Sequence, residues 1–395
     1  MLNLLNVVPD EKFIDNVIEY HDYTSETAHH VYVNVSLRRK QTFQYISKKH
    51  RIIQIHPRKF FKYVANNPFD GIIIHNLAAF LPNLIIKIPK EIPVMWSSWG
   101  MDIYSYPKGA PVVSIKNMHH NMTAAALKLQ HPEPLISKIK SLLKTLISGE
   151  SIHPDKRIQA YMNAIRRFNL FSCVVPLEYE LIKRNEFFHA KYVEYHYYNT
   201  SLFGTITQIK PKSDIILIGN SAAPTNNHLE IFHHLSKLDT SKFKILAPLN
   251  YGSDNEWKDQ LVKAGRTTFG NRFEPITGFL PFKEYAELLS KCSHAIFYHE
   301  RQQAMGNIYS LLENGCKLFL SENSVTYQYL KSLGVQVFSI QTELTQHNLD
   351  NPLSSNLAKT NNEIVSRLIH SKSKAITELH NLYNEFTNFK QTHGN

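Results

Sequence analysis

The sequence predicts an α/β protein with two Rossmann-like domains, each built on a parallel β-sheet, facing each other across a cleft. Short apolar runs alternate with helical patterns along the chain, which indicates parallel sheets with helices on both faces. The chain has 395 residues, more than one ordinary hydrophobic core accommodates. A polar stretch with Gly and Pro at 201–213 separates two groups of strands. We therefore predict an N-terminal domain at 1–203, a C-terminal domain at 204–360, and a helix at 361–395 that can pack back on the N-terminal domain.

The predicted strands are short apolar runs. In the N-terminal domain they lie at 2–8, 30–35, 51–55, 71–75, 94–97 and 171–175. In the C-terminal domain they lie at 214–218, 243–247, 294–298, 317–320 and 335–338.

The composition indicates a globular protein with an anionic partner. Hydrophobic residues make up 43% and charged residues 19% of the chain, whose formal net charge is +11. Such a charge attracts nucleic acid, a phospholipid surface or a phosphorylated substrate. Cys173, Cys292 and Cys316 lie in or beside apolar strands without metal-ligand spacing, so we expect buried thiols in a reducing compartment. The amino terminus lacks the basic region of a signal peptide, and no apolar run reaches the roughly 18 residues of a membrane span.

The segment 294–320 is the most informative part of the chain, because it predicts a strand, a helix and a second strand. A polar cluster, 299–303, follows the first strand, and Asn314 with Gly315 ends the helix. In open α/β sheets ligands bind at the carboxyl ends of the strands, and a helix amino terminus favours an anion such as a diphosphate. We therefore predict that this unit binds a phosphorylated ligand.

A small polar turn, Gly219, Asn220 and Ser221, follows the apolar run 214–218. Its backbone N–H groups suit a phosphate or a sugar hydroxyl, although an ordinary strand–helix turn has the same pattern. The turn is not a GxGxxG fingerprint, and the chain has no GxxxxGK[ST] loop, which argues against a nicotinamide or flavin cofactor and against an ATPase. We expect no cofactor, and without acidic pairs at metal-ligand spacing we expect no metal.

Two tryptophans and an aspartate follow the strand at 94–97. Trp96 and Trp99 could stack on a sugar ring, and Asp102 could act as a general base. Alternatively, both tryptophans are core residues and Asp102 caps the following turn. His75, at the end of another strand, is expected to face the same cleft.

Two pairs of adjacent histidines, 119–120 and 233–234, invite a metal-site interpretation. Adjacent side chains on a helix point in different directions, and no third ligand is positioned by the sequence. We interpret both pairs as surface or satisfied polar residues.

The segment 134–149 has the clearest helical pattern in the chain. Its apolar residues form one continuous stripe, and Lys138, Lys140 and Lys144 lie outside that stripe, with no acid between 135 and 149. Such a helix is typical of contact with an anionic membrane surface, although an ordinary core-facing helix is the alternative.

Five blocks of the sequence match a known family in order and approximate spacing, from about residue 70 to 330. The blocks are Trp96–Tyr104, Ile218–Ser221 with Asn227–His228, Ala247–Gly252, Phe282–Ser290, and Arg301–Gln303 with Gly306. They resemble the bacterial glycosyltransferases of family 56, which add 4-acetamido-4,6-dideoxygalactose in enterobacterial common antigen synthesis. The Arg-Gln-Gln and Trp-Gly-x-Asp blocks are the most specific.

The resemblance implies the GT-B architecture, a dTDP-sugar donor, an undecaprenyl-diphosphate-linked saccharide acceptor, and inverting transfer without a metal. In this architecture the C-terminal domain holds the nucleotide. Contact with the diphosphate is assigned to Arg301–Gln303 and to the turn 219–221. The nucleobase is assigned to the surroundings of Tyr251 and 278–280. Sugar or ribose hydroxyls are assigned to Glu300, Glu322 and Asn323.

The N-terminal domain would then bind the acceptor. Asp102 is the favoured base and His75 the second candidate, and Trp96 and Trp99 would contact the acceptor. The basic helix would hold the protein peripherally on the cytoplasmic face of the bacterial inner membrane.

Three alternatives remain on sequence alone. A transferase of the same architecture could use a UDP-sugar instead. A sugar-nucleotide epimerase would need no lipid acceptor, so the basic helix would have no purpose. A nucleic-acid-binding module would fit the net charge, but the basic residues are spread over the chain without an aromatic–basic RNA motif, so we expect no nucleic-acid partner.

Overall fold

The computed structural model describes residues 1–11, 13–37, 42–77, 81–105, 112–130, 156–195, 209 and 213–393. By its contacts the chain divides into two units. Unit 1 comprises Met1–Ser114, Pro154–Gly204 and Leu368–Asn395, and unit 2 comprises Ile115–His153 and Thr205–Arg367. The predicted membrane helix, with Lys138, Lys140 and Lys144, lies outside the described residues. Among the helices that are described, none is long and apolar enough to cross a membrane.

Unit 1 contains a seven-stranded sheet in the order β3-β2-β1-β4-β5-β6-β7, and all of its pairings are parallel. The strands are β1 Leu2–Val7, β2 Ala28–Val35, β3 Ile52–Ile55, β4 Gly71–His75, β5 Val94–Ser97, β6 Leu170–Ser172 and β7 Lys191–Tyr192. The helices before residue 195 are α1 Ile14–Asp22, α2 Pro57–Asn66, α3 Pro82–Ile85, α4 Met101–Tyr104, α5 Asn121–Gln130, α6 Lys156–Arg167 and α7 Leu177–Ile182. All of these except α5 belong to unit 1.

Unit 2 contains a six-stranded parallel sheet in the order β10-β9-β8-β11-β12-β13. Its strands are β8 Ser213–Ile218, β9 Lys244–Pro248, β10 Phe273–Ile276, β11 Cys292–Phe297, β12 Lys317–Leu320 and β13 Phe338–Ser339. Its helices after β8 are α8 His228–Leu235, α9 Asn255–Phe269, α10 Phe282–Lys291, α11 Met305–Glu313, α12 Val325–Ser332, α13 Ile340–Glu343, α14 Gln346–Asp350 and α15 Ser355–Ile369.

The last helix, α16 Lys372–His393, completes the core of unit 1. Leu379, Leu382 and Phe386 are fully buried there beside the residues of β1 and α1. A Cβ on Gly71 would lie 2.4 Å from the Phe386 ring, so β4 needs glycine where this helix crosses it.

The two parallel sheets confirm the predicted α/β class. The strands β7 and β10 were not predicted, because neither has an apolar run. Strand β7 has only two residues, and β10 contains Glu274 and Pro275. The three cysteines are free and buried, as expected.

One segment has a different place from the one the sequence suggested. Residues 115–130, which the sequence assigned to the N-terminal domain, belong to unit 2. The backbone N–H and the hydroxyl of Thr123 donate to the buried Glu230 carboxylate at 2.9 and 2.6 Å, which ties α5 to α8. This long-range pairing has no local sequence signal.

Candidate functional site

The strand order of unit 2 reverses between β8 and β11. From β8 the chain continues outward to β9 and β10, whereas β11 begins the run to β12 and β13 on the other side. Ligands of open α/β sheets bind at the carboxyl ends of the strands where the order reverses in this way. The turn 219–221 and the cluster 300–303 follow these two strands, so the structure brings both predicted donor segments to one edge.

Gly219 gives the turn after β8 its conformation. Its φ is +63°, and an added Cβ would lie 2.6 Å from Oδ1 of Asn226 and 2.8 Å from Nε2 of His228. Oδ1 of Asn226 accepts from the Asn220 N–H at 3.0 Å and from Nε2 of His299 at 2.7 Å. The turn is therefore fixed from beneath by buried polar side chains, and only glycine fits at its first position.

A chain of amide hydrogen bonds joins three strand ends. Nε2 of Gln303 donates to Oδ1 of Asn220 at 2.8 Å, and Nδ2 of Asn220 donates to the Tyr251 hydroxyl at 3.0 Å. The Thr225 hydroxyl donates to Oε1 of Gln303 at 2.7 Å. These bonds orient Asn220 and Gln303 before any ligand binds, which lowers the entropy lost on binding.

A second chain of hydrogen bonds continues from the end of β11 toward the ends of β12 and β13. The Ser321 hydroxyl donates to Oε1 of Glu300 at 2.8 Å, and Nε2 of Gln341 donates to the Ser321 hydroxyl at 2.9 Å. Oε2 of Glu322 accepts from the Ser339 hydroxyl at 2.6 Å. Glu300 and Glu322 are thus both held by serine hydroxyls at this edge. Asn323, predicted beside them, is exposed.

Arg301 and Gln302 lie just before the amino end of α11. Nη1 of Arg301 donates to the Gln302 carbonyl at 2.8 Å. Oε1 of Gln302 is buried and accepts no hydrogen bond from the described residues. Ala304, with φ +60°, turns the chain into α11, whose first N–H groups have no partner within the helix. This end of α11 can bind an anion.

Two buried histidines beneath the site are neutral. Burial lowers the pKa of His228 to about 3 and holds the pKa of His299 well below its ordinary value. Arg301 and the helix dipole therefore supply the positive potential at this edge.

His120 also reaches this edge, which the sequence interpretation missed. Its Nε2 lies 2.7 Å from Oε1 of Glu300, and its ring centroid lies 4.2 Å from that of Tyr298. The two residues of this hydrogen bond are 180 positions apart in sequence. The signal that could have drawn attention to it is the histidine pair 119–120, which we interpreted as surface or satisfied.

Asp102 of unit 1 is fully buried in a cage of four donors. Oδ2 accepts from the Leu77 N–H at 3.0 Å and from Nε1 of Trp96 at 2.6 Å. Oδ1 accepts from the Ser98 hydroxyl at 2.9 Å and from the Trp99 N–H at 3.0 Å. Burial nevertheless raises the pKa of this carboxyl. Such a cage favours the anchoring role that the sequence left open, and the role as base stays a prediction.

The other residues predicted to act on the saccharide acceptor are also in or near the core. Trp96 is fully buried, which is the core alternative, and Trp99 is partly buried with its ring 6.1 Å from Phe13. His75 is fully buried, and its Nε2 donates to Oδ1 of Asn6 at 3.2 Å. Burial lowers the pKa of His75 to about 3.

Metal binding requires several ligands in one place. In the described part of the chain no group of three His, Cys, Asp or Glu side chains could hold a metal ion. The expectation of a metal-independent enzyme stays a prediction.

Solved structures of GT-B glycosyltransferases have the same fold as this chain. The sucrose-phosphate synthase of Thermosynechococcus elongatus aligns over its whole length with 98% of this chain, at a TM-score of 0.65 and 9% identity. HepE of Anabaena, in complex with UDP and glucose, aligns over its whole length with 98% of this chain, at a TM-score of 0.64 and 8% identity. A glycosyltransferase from Rickettsia africae matches at 0.65 and 12%, over 98% of each chain. At these identities the likeness establishes the fold.

The fold and the polar edge of unit 2 thus define a GT-B glycosyltransferase, as predicted. A model of the family described as 4-alpha-L-fucosyltransferase, glycosyl transferase group 56, matches residues 169–368, half of the chain. The chain belongs to this glycosyltransferase family.

Proposed function

We propose that this glycosyltransferase moves 4-acetamido-4,6-dideoxygalactose, or a related deoxyamino sugar, from a dTDP-sugar to an undecaprenyl-diphosphate-linked saccharide. The observation that carries the proposal is the edge of unit 2 where Arg301 and Gln302 precede the amino end of α11, close to the Gly219 turn. Inverting transfer needs positive potential for the leaving diphosphate. Arg301 and the N–H groups at the start of α11 would supply it without a metal.

The nucleoside would lie beside this diphosphate site. The Tyr251 hydroxyl accepts a hydrogen bond from Asn220, and the side chain is half exposed. Its ring face can therefore stack on a nucleobase.

A UDP-sugar is the second candidate donor. HepE of Anabaena, which has the same fold, was solved with UDP and glucose. Uracil presents the same kind of ring face as thymine, so Tyr251 would serve either nucleobase.

The acceptor implies a place at the membrane. We propose that the segment 135–147 places the protein peripherally on the cytoplasmic face of the bacterial inner membrane, where Lys138, Lys140 and Lys144 would meet anionic lipid.

Calorimetric titration with dTDP and UDP, followed by a transfer assay with each nucleotide-sugar and a lipid-diphosphate-linked saccharide in EDTA, tests the proposal. We expect tighter binding of dTDP and transfer that survives chelation. Tighter binding of UDP would move the donor to the uridine series. Activity that is lost in EDTA and restored by magnesium would overturn the metal-independent mechanism.

A further inference from the structure

The hydrogen bond between His120 and Glu300 has the geometry of a carboxylate-oriented imidazole. We propose that His120 is the general base of the sugar transfer, oriented by Glu300. This inference rests on the proposed function and names a residue for the proton transfer that the reaction requires.

The hydrogen bond fixes the tautomer of the neutral imidazole. Oε1 of Glu300 is an acceptor, so Nε2 of His120 carries the hydrogen, and Nδ1 then keeps its lone pair. Nδ1 has no hydrogen-bond partner among the described residues, and 20% of the side chain is exposed. The unprotonated nitrogen is therefore the one that a substrate hydroxyl can reach.

Glu300 is held for this role by a second contact. Its side chain is only 6% exposed, and Oε1 also accepts from the Ser321 hydroxyl at 2.8 Å. A buried carboxylate in a fixed position both orients the imidazole and stabilises the imidazolium that forms when it takes a proton.

The backbone of His120 is anchored to the same strand end. Its N–H donates to Oδ1 of Asn227 at 2.9 Å, and Nδ2 of Asn227 donates to the Tyr298 carbonyl at 2.9 Å. Asn227 is fully buried and has a φ of +51°. Three residues on, Thr123 is bound to the buried Glu230. These contacts bring a segment that is distant in sequence to the ligand edge and fix one imidazole there.

The groups first considered as bases are sealed in the core of unit 1. Asp102 accepts four hydrogen bonds and His75 is bound to Asn6, and neither has exposed surface. His120 combines an open nitrogen with a carboxylate partner at the edge where the donor would bind.

In the proposed step, the acceptor hydroxyl gives its proton to Nδ1 of His120. The acceptor oxygen forms a bond to the anomeric carbon on the face opposite the diphosphate. The bond from that carbon to the diphosphate oxygen breaks, and its electron pair leaves with the nucleoside diphosphate. The imidazolium, paired with Glu300, afterwards returns the proton to solvent.

The test compares His120→Gln and His120→Ala with His233→Gln, a change on the exposed face of α8. Glutamine can still donate to Glu300 but cannot take up the proton. We expect both His120 variants to lose roughly 10²–10⁴-fold in turnover, with unchanged dTDP affinity and melting temperature. Added imidazole should restore part of the turnover in His120→Ala, and His233→Gln should match the parent.

Each other outcome overturns the assignment of the base. Near-normal turnover of His120→Gln would show that the residue only positions Glu300. A weakened dTDP affinity, with no imidazole rescue, would make His120 a contact to the leaving diphosphate instead. The activity of the unaltered protein tests the proposed function separately. The assignment of the general base depends only on the ratio of variant turnover to parent turnover. That ratio can also be measured from slow hydrolysis of the donor when no acceptor is added.

Discussion

Gln303 and Asn220 lie 83 positions apart in sequence and join the ends of β11 and β8 through a hydrogen bond of 2.8 Å. The bond bridges the point at which the strand order of unit 2 reverses. Both side chains have further partners, Thr225 and Tyr251, so their orientation is set before a ligand arrives. This edge of unit 2 is therefore a preorganised polar surface.

Arg301 should be the main cationic contact of the diphosphate. Replacing it with alanine should weaken dTDP binding by roughly 1.5–3 kcal/mol, because a charge-assisted hydrogen bond is lost. Titration calorimetry measures this loss. Arg266→Ala, on the exposed face of α9, is the matched control and should bind like the parent. An unchanged affinity in folded Arg301→Ala would refute the assignment.

Gly219 should tolerate no side chain. Gly219→Ala would place a Cβ against Asn226 and His228, whereas Gly334→Ala has a positive φ of +82° but meets only Ile364 at 3.8 Å. Both changes carry the cost of a left-handed backbone, about 1–2 kcal/mol. We expect Gly219→Ala to lower the free energy of unfolding by about 1–3 kcal/mol more than Gly334→Ala, since a packed site must be forced apart. Urea unfolding measures both, and equal losses would contradict the crowding argument.

Asp102→Asn distinguishes an anchor from a base. In either orientation the asparagine NH₂ faces two buried hydrogen-bond donors. Each donor left without an acceptor lowers the unfolding free energy by roughly 1–3 kcal/mol. We expect a loss of about 2–5 kcal/mol in unfolding free energy. Asp254→Asn, at the N-cap of α9, should be nearly neutral because asparagine caps equally well. A fully stable Asp102→Asn protein with greatly reduced turnover would instead support the base role.

Unit 1 should lose stability in mild acid. Burial lowers the pKa of His30 and His75 to about 3 and that of His21 well below its ordinary value. The unfolded chain takes up these protons below about pH 6.5. The stabilisation is therefore complete above that pH and is lost as the pH falls toward 3. Each histidine contributes about 1.4 kcal/mol per pH unit in this window.

Unfolding free energies measured at several pH values between about 7 and 5 check this dependence. His75→Gln should reduce the slope by about one proton, and the exposed His50→Gln should leave it unchanged. Identical slopes for all three proteins would contradict a neutral His75 in the folded state.

The basic segment should bind anionic membranes in a salt-sensitive manner. Each lysine near such a surface contributes about 1 kcal/mol, so replacing Lys138, Lys140 and Lys144 with glutamate should weaken liposome binding at least about a hundredfold. Transfer to a long-chain lipid acceptor should slow, while transfer to a short soluble acceptor should persist. Sedimentation with phosphatidylglycerol vesicles reads the binding, and equal binding by the triple variant would make the segment an ordinary core-facing helix.

The sequence by itself determined the two parallel sheets and the turns that bear Asn220 and Gln303. Periodicity, helix-stop signals and polar residues at strand ends are local properties, and parallel strands bring their carboxyl ends to one edge without further information. The tertiary structure decided which polar residues that follow the strands are exposed and which are enclosed. Asp102 looked accessible after its strand but is enclosed by donors from Leu77 to Trp99, and His120 looked like a surface residue but pairs with Glu300. Burial and long-range pairing depend on how distant segments pack, and a local pattern of residue types does not encode that.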